Sequence, residues 1–191
     1  MVHTIKQAKN NIMTWKAHQL RSVHQDQAKC SVLANIKSKF DVFLVQDWAM
    51  KFMPRKFREP QSDWFAKRGL PWHITVAIRK SEESDYLESQ TFVHVFQNCS
   101  QDSTAMVSIM QDCLVSLKKE MPELERVYYK QDNAGCYHSG YTIVSAKLAG
   151  DIAGVVVERN DFSDPQGGKG VCDRQAATDR KSTRLNSSHR L

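Results

Sequence analysis

From Phe40 onward three strand-length segments follow one another, and after them helices and strands alternate; no other feature restricts the fold as much. The first, Phe40 to Trp48, is a short apolar run interrupted near its end by Asp47, as expected of a buried strand. The second, LPWHITVAIRK at 70 to 80, is β-branched between His73 and Ile78. An acidic turn, SEESD, separates it from a third strand over Thr91 to Gln97. From Ser103 to Met121, Met106, Ile109, Met110, Cys113, Leu114 and Leu117 recur at helical spacing, with Ser103 placed as N-cap and Pro122 as the stop. A strand at Arg126 to Lys130, a helix from Ser139 to Gly150 with Gly150 near its C-cap, and a strand at Val155 to Glu158 complete the alternation. A loop at Asp164 to Gly168 leads into the start of a helix at Val171 to Thr178. This order predicts an α/β domain with a mixed sheet flanked by helices. Ahead of it, residues 5 to 38 lack Gly and Pro and read as one or two helices.

The 191 residues suffice for one domain with a real core. We divide them into a helical extension at 1–40, a core at 41–178 and a tail at 179–191. Residues 179 to 189 read DRKSTRLNSSH, which resembles the translation of a sequencing adapter. The expectation is that native sequence ends near Thr178, that the core is truncated and that the chain as it stands is inactive. The tail carries Arg180, Lys181, Arg184 and Arg190 against Asp179, a net of +3. Half of the formal charge of +6 therefore belongs to it, and the remaining +3 argues only weakly for an anionic partner. Five dispersed cysteines without a CxxC pair argue against a disulfide framework. No apolar run approaches bilayer length, and the N-terminus lacks a signal-peptide core, so a nuclear or cytoplasmic protein without membrane attachment is expected.

Three acids stand at informative positions. Asp47 ends the first strand, Asp132 follows the fourth within QDNAG, and Asp173 follows the loop PQGGKG, just inside the final helix. The segment DNAGCYH at 132–138 resembles the motif around the second acid of integrases, and DPQGGKGVCD at 164–173 resembles the loop before their third. With WFAKRGLPWH at 64–73, the chain also resembles a group of transposon-derived proteins of animal genomes. The resemblance covers roughly 41 to 177. It implies an RNase H-like catalytic core of the integrase and DDE-transposase kind, with DNA as partner and metal-dependent phosphodiester cleavage, strand transfer and DNA integration as activity. It admits a homo-oligomer in the full-length protein.

The resemblance further implies that Asp47, Asp132 and Asp173 hold two Mg²⁺ or Mn²⁺ ions, hard cations that take oxygen ligands. Asp47 would bridge both. The third acid of integrases is usually Glu, so Asp173 shortens the reach by one methylene, and Asp161 and Asp164 compete for that role. Cys136, His138 and Cys172 are too loosely spaced to be a strong zinc signal. Ala49, two residues after Asp47, departs from the DxE opening of RNase H-like exonucleases.

Between the first two strands, Lys51, Arg55, Lys56, Arg58, Lys67 and Arg68 outnumber Glu59 and Asp63, with Phe57, Trp64 and Phe65 among them. These cations and Lys169 are candidates for phosphate contacts, and the aromatics for stacking on bases. The alternative is a loop whose charges are solvated and whose aromatics pack on the core. A function from another class, a catalytically degenerate, domesticated module that binds nucleic acid or protein, stays open beside the enzyme.

Overall fold

The computed structural model describes residues 2–37, 39–54, 57–66, 68–84, 86–164 and 170–177, without the side chains of 2, 3, 63 and 64. Its centre is a five-stranded sheet in the order β3-β2-β1-β4-β5. The strands are β1 (Asp41–Phe52), β2 (Leu70–Lys80), β3 (Leu87–Val95), β4 (Arg126–Asp132) and β5 (Val156–Ser163). β1, β2 and β3 form an antiparallel meander, whereas β4 and β5 run parallel to β1. This is the expected α/β architecture with the strand order of an RNase H-like sheet. No described helix is long and apolar enough to cross a membrane.

Helices α3 (Ser103–Glu120) and α5 (Gly140–Ala153) cover one face of the sheet. Met106, Ile109, Met110, Cys113, Leu114 and Leu117 line the buried side of α3, as their spacing predicts. They meet the even-numbered β1 residues Val42 and Leu44 and the β4 residues Val127 and Tyr129 in one continuous core. The helix starts one residue earlier than expected: Asp102 is the N-cap, its carboxylate accepting from the Ala105 N–H at 2.9 Å. Gly150 is not the C-cap of α5. It lies inside the helix where a Cβ would stand 2.6 Å from the Val155 carbonyl oxygen, and Gly154, at φ +70°, ends the helix.

The opposite face is covered in pieces. Helix α1 (Val2–Asn35) supplies Val32 and Ile36 against Phe43, and residues 171–177 form a helix that brings Cys172 to Trp72, Ile74 and Val76. Asp164, just after β5, clasps α1 by accepting from Arg21 Nε at 2.6 Å, with His18 Nδ1 at 3.2 Å. At the start of β1, buried Asp41 receives Arg126 Nε at 2.8 Å and Nη2 at 3.3 Å. That fork pins Asp41 opposite Arg126 and so fixes the register of β1 against β4.

Two short helices were not anticipated, α2 (Gln61–Ala66) and α4 (Gly135–His138). β1 also runs four residues past Trp48, because its end pairs with the start of β2, Ala49 opposite Trp72 and Phe52 opposite Leu70.

Candidate active site

Parallel pairing carries two acids to the same end of the sheet. Gln46 of β1 stands opposite Gln131 of β4, and Gln131 Nε2 donates to Gln46 Oε1 at 2.8 Å on the α3 side. Side chains alternate along a strand, so the next residue on each, Asp47 and Asp132, turns to the other face. Adjacent strands lie about 4.8 Å apart, which makes these two acids neighbours. Helix 171–177 reaches this face through Cys172, whose thiol donates to the Val45 carbonyl at 3.4 Å. Asp173 is the next residue.

The electrostatics tie the three together. Burial, then the charges of Asp173 and Asp132, together push the Asp47 carboxyl up to about 6, against a lowering hydrogen bond from the Trp48 backbone. Asp161 and Asp164 do not act on Asp47 in this way. Asp161 accepts from Arg159 at 2.7 Å, and Asp164 is held by Arg21 and His18.

Asp132 and Asp173 are both exposed and both engaged locally. Asp132 Oδ1 accepts from the Asn133 N–H at 2.6 Å. Asp173 Oδ2 accepts from the Gly170 N–H at 2.9 Å, the backward reach of a capping box that starts helix 171–177. Among the described residues, no three histidine, cysteine or acidic side chains are arranged to hold a metal ion. The chemistry of the donors nevertheless fits a hard cation: carboxylates alone, one of them half-buried and repelled by the others. The thiols do not fit. Burial pushes Cys172 up to about 12 and raises Cys136, so both stay protonated, while His138 packs edge-on against Phe162.

On the α3 face lies a polar chain that sequence reading missed. Gln46 Nε2 donates to Thr75 Oγ1 at 3.1 Å, Thr75 Oγ1 lies 3.5 Å from His73 Nδ1, and His73 Nε2 meets Tyr137 Oη at 3.2 Å. His73 and Tyr137 are fully buried. Burial, with help from His94, lowers His73 to about 3, so the ring is neutral. The histidine of WFAKRGLPWH and the tyrosine of DNAGCYH are thus partners, and their pairing holds the turn after Asp132 onto β2. The two motifs were the available signal; each was read for its acid or its charge and not for its neutral polar residue.

Of the candidate phosphate-binding residues, Lys51, Arg58 and Arg68 are exposed in and beside the β1–β2 connection, at the Asp47 end of β1. Phe57, 89% exposed, and Phe65, 76% exposed, do not pack on the core; the Trp64 side chain lies outside the described residues. Arg55, Lys56, Lys67 and Lys169 lie outside the described residues, as does the tail at 179–191.

A five-stranded mixed sheet with Asp47 and Asp132 side by side, where the pairing of β1 with β4 ends, frames the candidate site. The chain belongs to the family described as Domain of unknown function (DUF8701), whose model matches residues 25–190. That match crosses the boundary expected at residue 40 and runs through the stretch set apart as foreign. Among solved structures the chain is similar to the Mos1 transposase paired-end complex with left transposon end, at 12% identity and a TM-score of 0.41, covering 72% of this chain. It spans only 40% of that transposase chain. It is also similar to Thermus thermophilus RuvC, at 11% identity and a TM-score of 0.30, covering 71% of this chain and 74% of that one. No curated protein matches it.

Proposed function

We propose that this domain is a metal-dependent nuclease core of the transposase and integrase kind, cleaving DNA phosphodiesters and transferring strands. The observation that carries the reading is the half-buried Asp47, whose carboxyl is raised first by burial and then by the nearby charges of Asp173 and Asp132. Such a group is destabilised until cations neutralise it, which is the usual condition of a divalent-metal site. Asp47, Asp132 and Asp173 are the proposed ligands of two Mg²⁺ or Mn²⁺ ions. Bound there, the ions would supply activation of a water or 3′-hydroxyl and stabilisation of the leaving oxygen.

The chain's own residues prepare the rest. Asp47 is fixed by its strand, with the Gln46–Gln131 hydrogen bond behind it. Asp132 is held by the turn that Tyr137 anchors. Asp173 rides on a helix seated by Cys172, its Oδ2 accepting from the Gly170 N–H. Lys51, Arg58 and Arg68 would neutralise phosphates on the approach, with Arg55, Lys56, Lys67 and Lys169.

Mn²⁺-dependent nicking of supercoiled plasmid tests this. With the tail at 179–191 replaced by native sequence, this parent is expected to nick, and its Asp132→Asn variant to lose about 100-fold or more, beyond the usual cost of an outer-shell partner. Asp132 is exposed, so its variant should fold. Equal nicking by both, or none by a folded parent, would sink the proposal.

A further inference from the structure

The β1–β2 connection is a flap on which Phe57 and Phe65 are left exposed. Its neck is tightly closed. Trp72 Nε1 donates to the Met50 carbonyl at 2.6 Å, and Phe52 pairs with Leu70. Gly69 sits at φ +66°, where a Cβ would come within 2.9 Å of Lys51 Cβ and 2.8 Å of Met53 Sδ. Only glycine suits that backbone and that approach. The flap therefore leaves the sheet at a fixed place, in line with β1. Five residues separate Phe52 from Asp47, about 17 Å at strand rise.

Beyond this neck, Phe57 and Phe65 stand in water, together with Met50, which is 74% exposed. Exposed phenylalanines beside a rigid neck are unfavourable in a lone protein and mark a contact surface. The Arg58 guanidinium lies over the Phe57 ring, 5.3 Å from its centroid, which leaves the other ring face open. The surrounding charge is basic: Lys51, Arg58 and Arg68 are all exposed. An open aromatic face backed by a cation suits a π-surface attached to a phosphate.

We propose that the flap binds unpaired nucleotides, their bases stacking on Phe57 and Phe65 and their phosphates meeting Lys51, Arg58 and Arg68. The reasoning is one of access. In a duplex each base face is covered by its neighbour, so an exterior phenyl ring meets sugar and phosphate and gains little. In a single strand the base faces are free, and stacking does not depend on sequence. The inference rests on the proposed function in one respect, that nucleic acid is what reaches the acid end of the sheet. It adds that the substrate is single-stranded or locally opened there.

The test is fluorescence anisotropy with labelled dT20 and with a 20-base-pair duplex, both in EDTA, so that cleavage is not required. The parent should bind dT20 about tenfold or more tightly than the duplex. Phe57→Ala with Phe65→Ala should weaken dT20 binding by about 5- to 100-fold, the range for losing a stacking aromatic, and leave the duplex nearly unchanged. Phe57→Tyr, which keeps the ring, should retain the preference. Both phenylalanines are exposed, so the variants should fold; circular dichroism checks this. Equal affinity for the two DNAs would overturn the proposal, as would a double variant that binds dT20 like the parent. Size-exclusion chromatography in which the double variant abolishes a parent dimer would assign these rings to protein contact instead, and also overturn it. Failure to nick plasmid would leave this readout intact.

Discussion

The two faces of the sheet are built on different plans. The α3–α5 face is one continuous core running from Val42 to Tyr137, and its buried polar atoms form a chain that crosses three strands. The other face has two small clusters, one around Phe43 with Val32 and Ile36, one around Ile74 with Cys172, and the acids lie at its end. The closed face holds the strands in place. Among the described residues, the other face has the fewer packing partners and carries the acids. Stability and candidate chemistry are thus assigned to opposite sides of the same strands, and alternation along β1 is what permits it: Gln46 belongs to one side and Asp47 to the other.

The largest effect should come from the closed face. Leu114→Ala removes a fully buried side chain at the middle of α3 and is expected to lower stability by about 3 kcal/mol in urea unfolding. Cys172→Ala, at the other face, should cost about 1 kcal/mol, because it deletes one small atom. Similar losses at both sites would mean that the faces are equally consolidated.

A smaller loss, about 2 kcal/mol, is expected from His73→Leu, which strands the buried Tyr137 hydroxyl. Adding Tyr137→Phe should restore much of it, since removing both partners costs less than removing one. A double variant as unstable as the sum of two independent losses would argue against the bond.

The pH profile sharpens the contrast, because the two faces contribute opposite slopes. Asp47 is raised from 3.8 to about 6, so between those values the folded protein binds more protons than the unfolded chain. Its contribution to stability therefore falls as pH rises through that window. His73 is lowered from 6.5 to about 3, so there the unfolded chain binds more protons, and its contribution falls as pH drops. Between about pH 4 and 6 the two oppose each other. Asp47→Asn should make stability climb more steeply with pH and add about 1 kcal/mol at pH 7, after allowance for solvent screening. His73→Leu should tilt the profile the other way. Urea midpoints at pH 4, 5, 6 and 7 read both; parallel profiles for the parent and Asp47→Asn would show that Asp47 titrates as an ordinary carboxylate.

Sequence periodicity reported elements whose information is local. Six apolar positions specified the buried side of α3, and the strand-then-helix order specified the mixed sheet. Elements whose information is remote were misjudged. β1 extends to Phe52 because Leu70 and Trp72 pair with its end, and β3 begins at Leu87, not Thr91, because Lys80 pairs there. Gly150 looked like a helix stop because a glycine inside a helix is unusual; its reason is the crossing Val155 carbonyl, which no local pattern reveals. The acids could be read as candidates from their places at strand ends. The partnership of His73 with Tyr137 could not, because buried neutral polar residues have no periodicity of their own.

The clasp between Asp164 and α1 has a consequence in time. During synthesis the meander, α3 and β4 emerge with Asp47 and Asp132 already aboard, and the large core can form around them. The segment that closes onto Arg21 and His18, and the helix bearing Asp173 behind it, leave the ribosome afterwards. A nascent chain released as far as β4 thus carries Asp47 and Asp132 without Asp173, so the proposed three-acid group is completed late, by the segment that docks on α1.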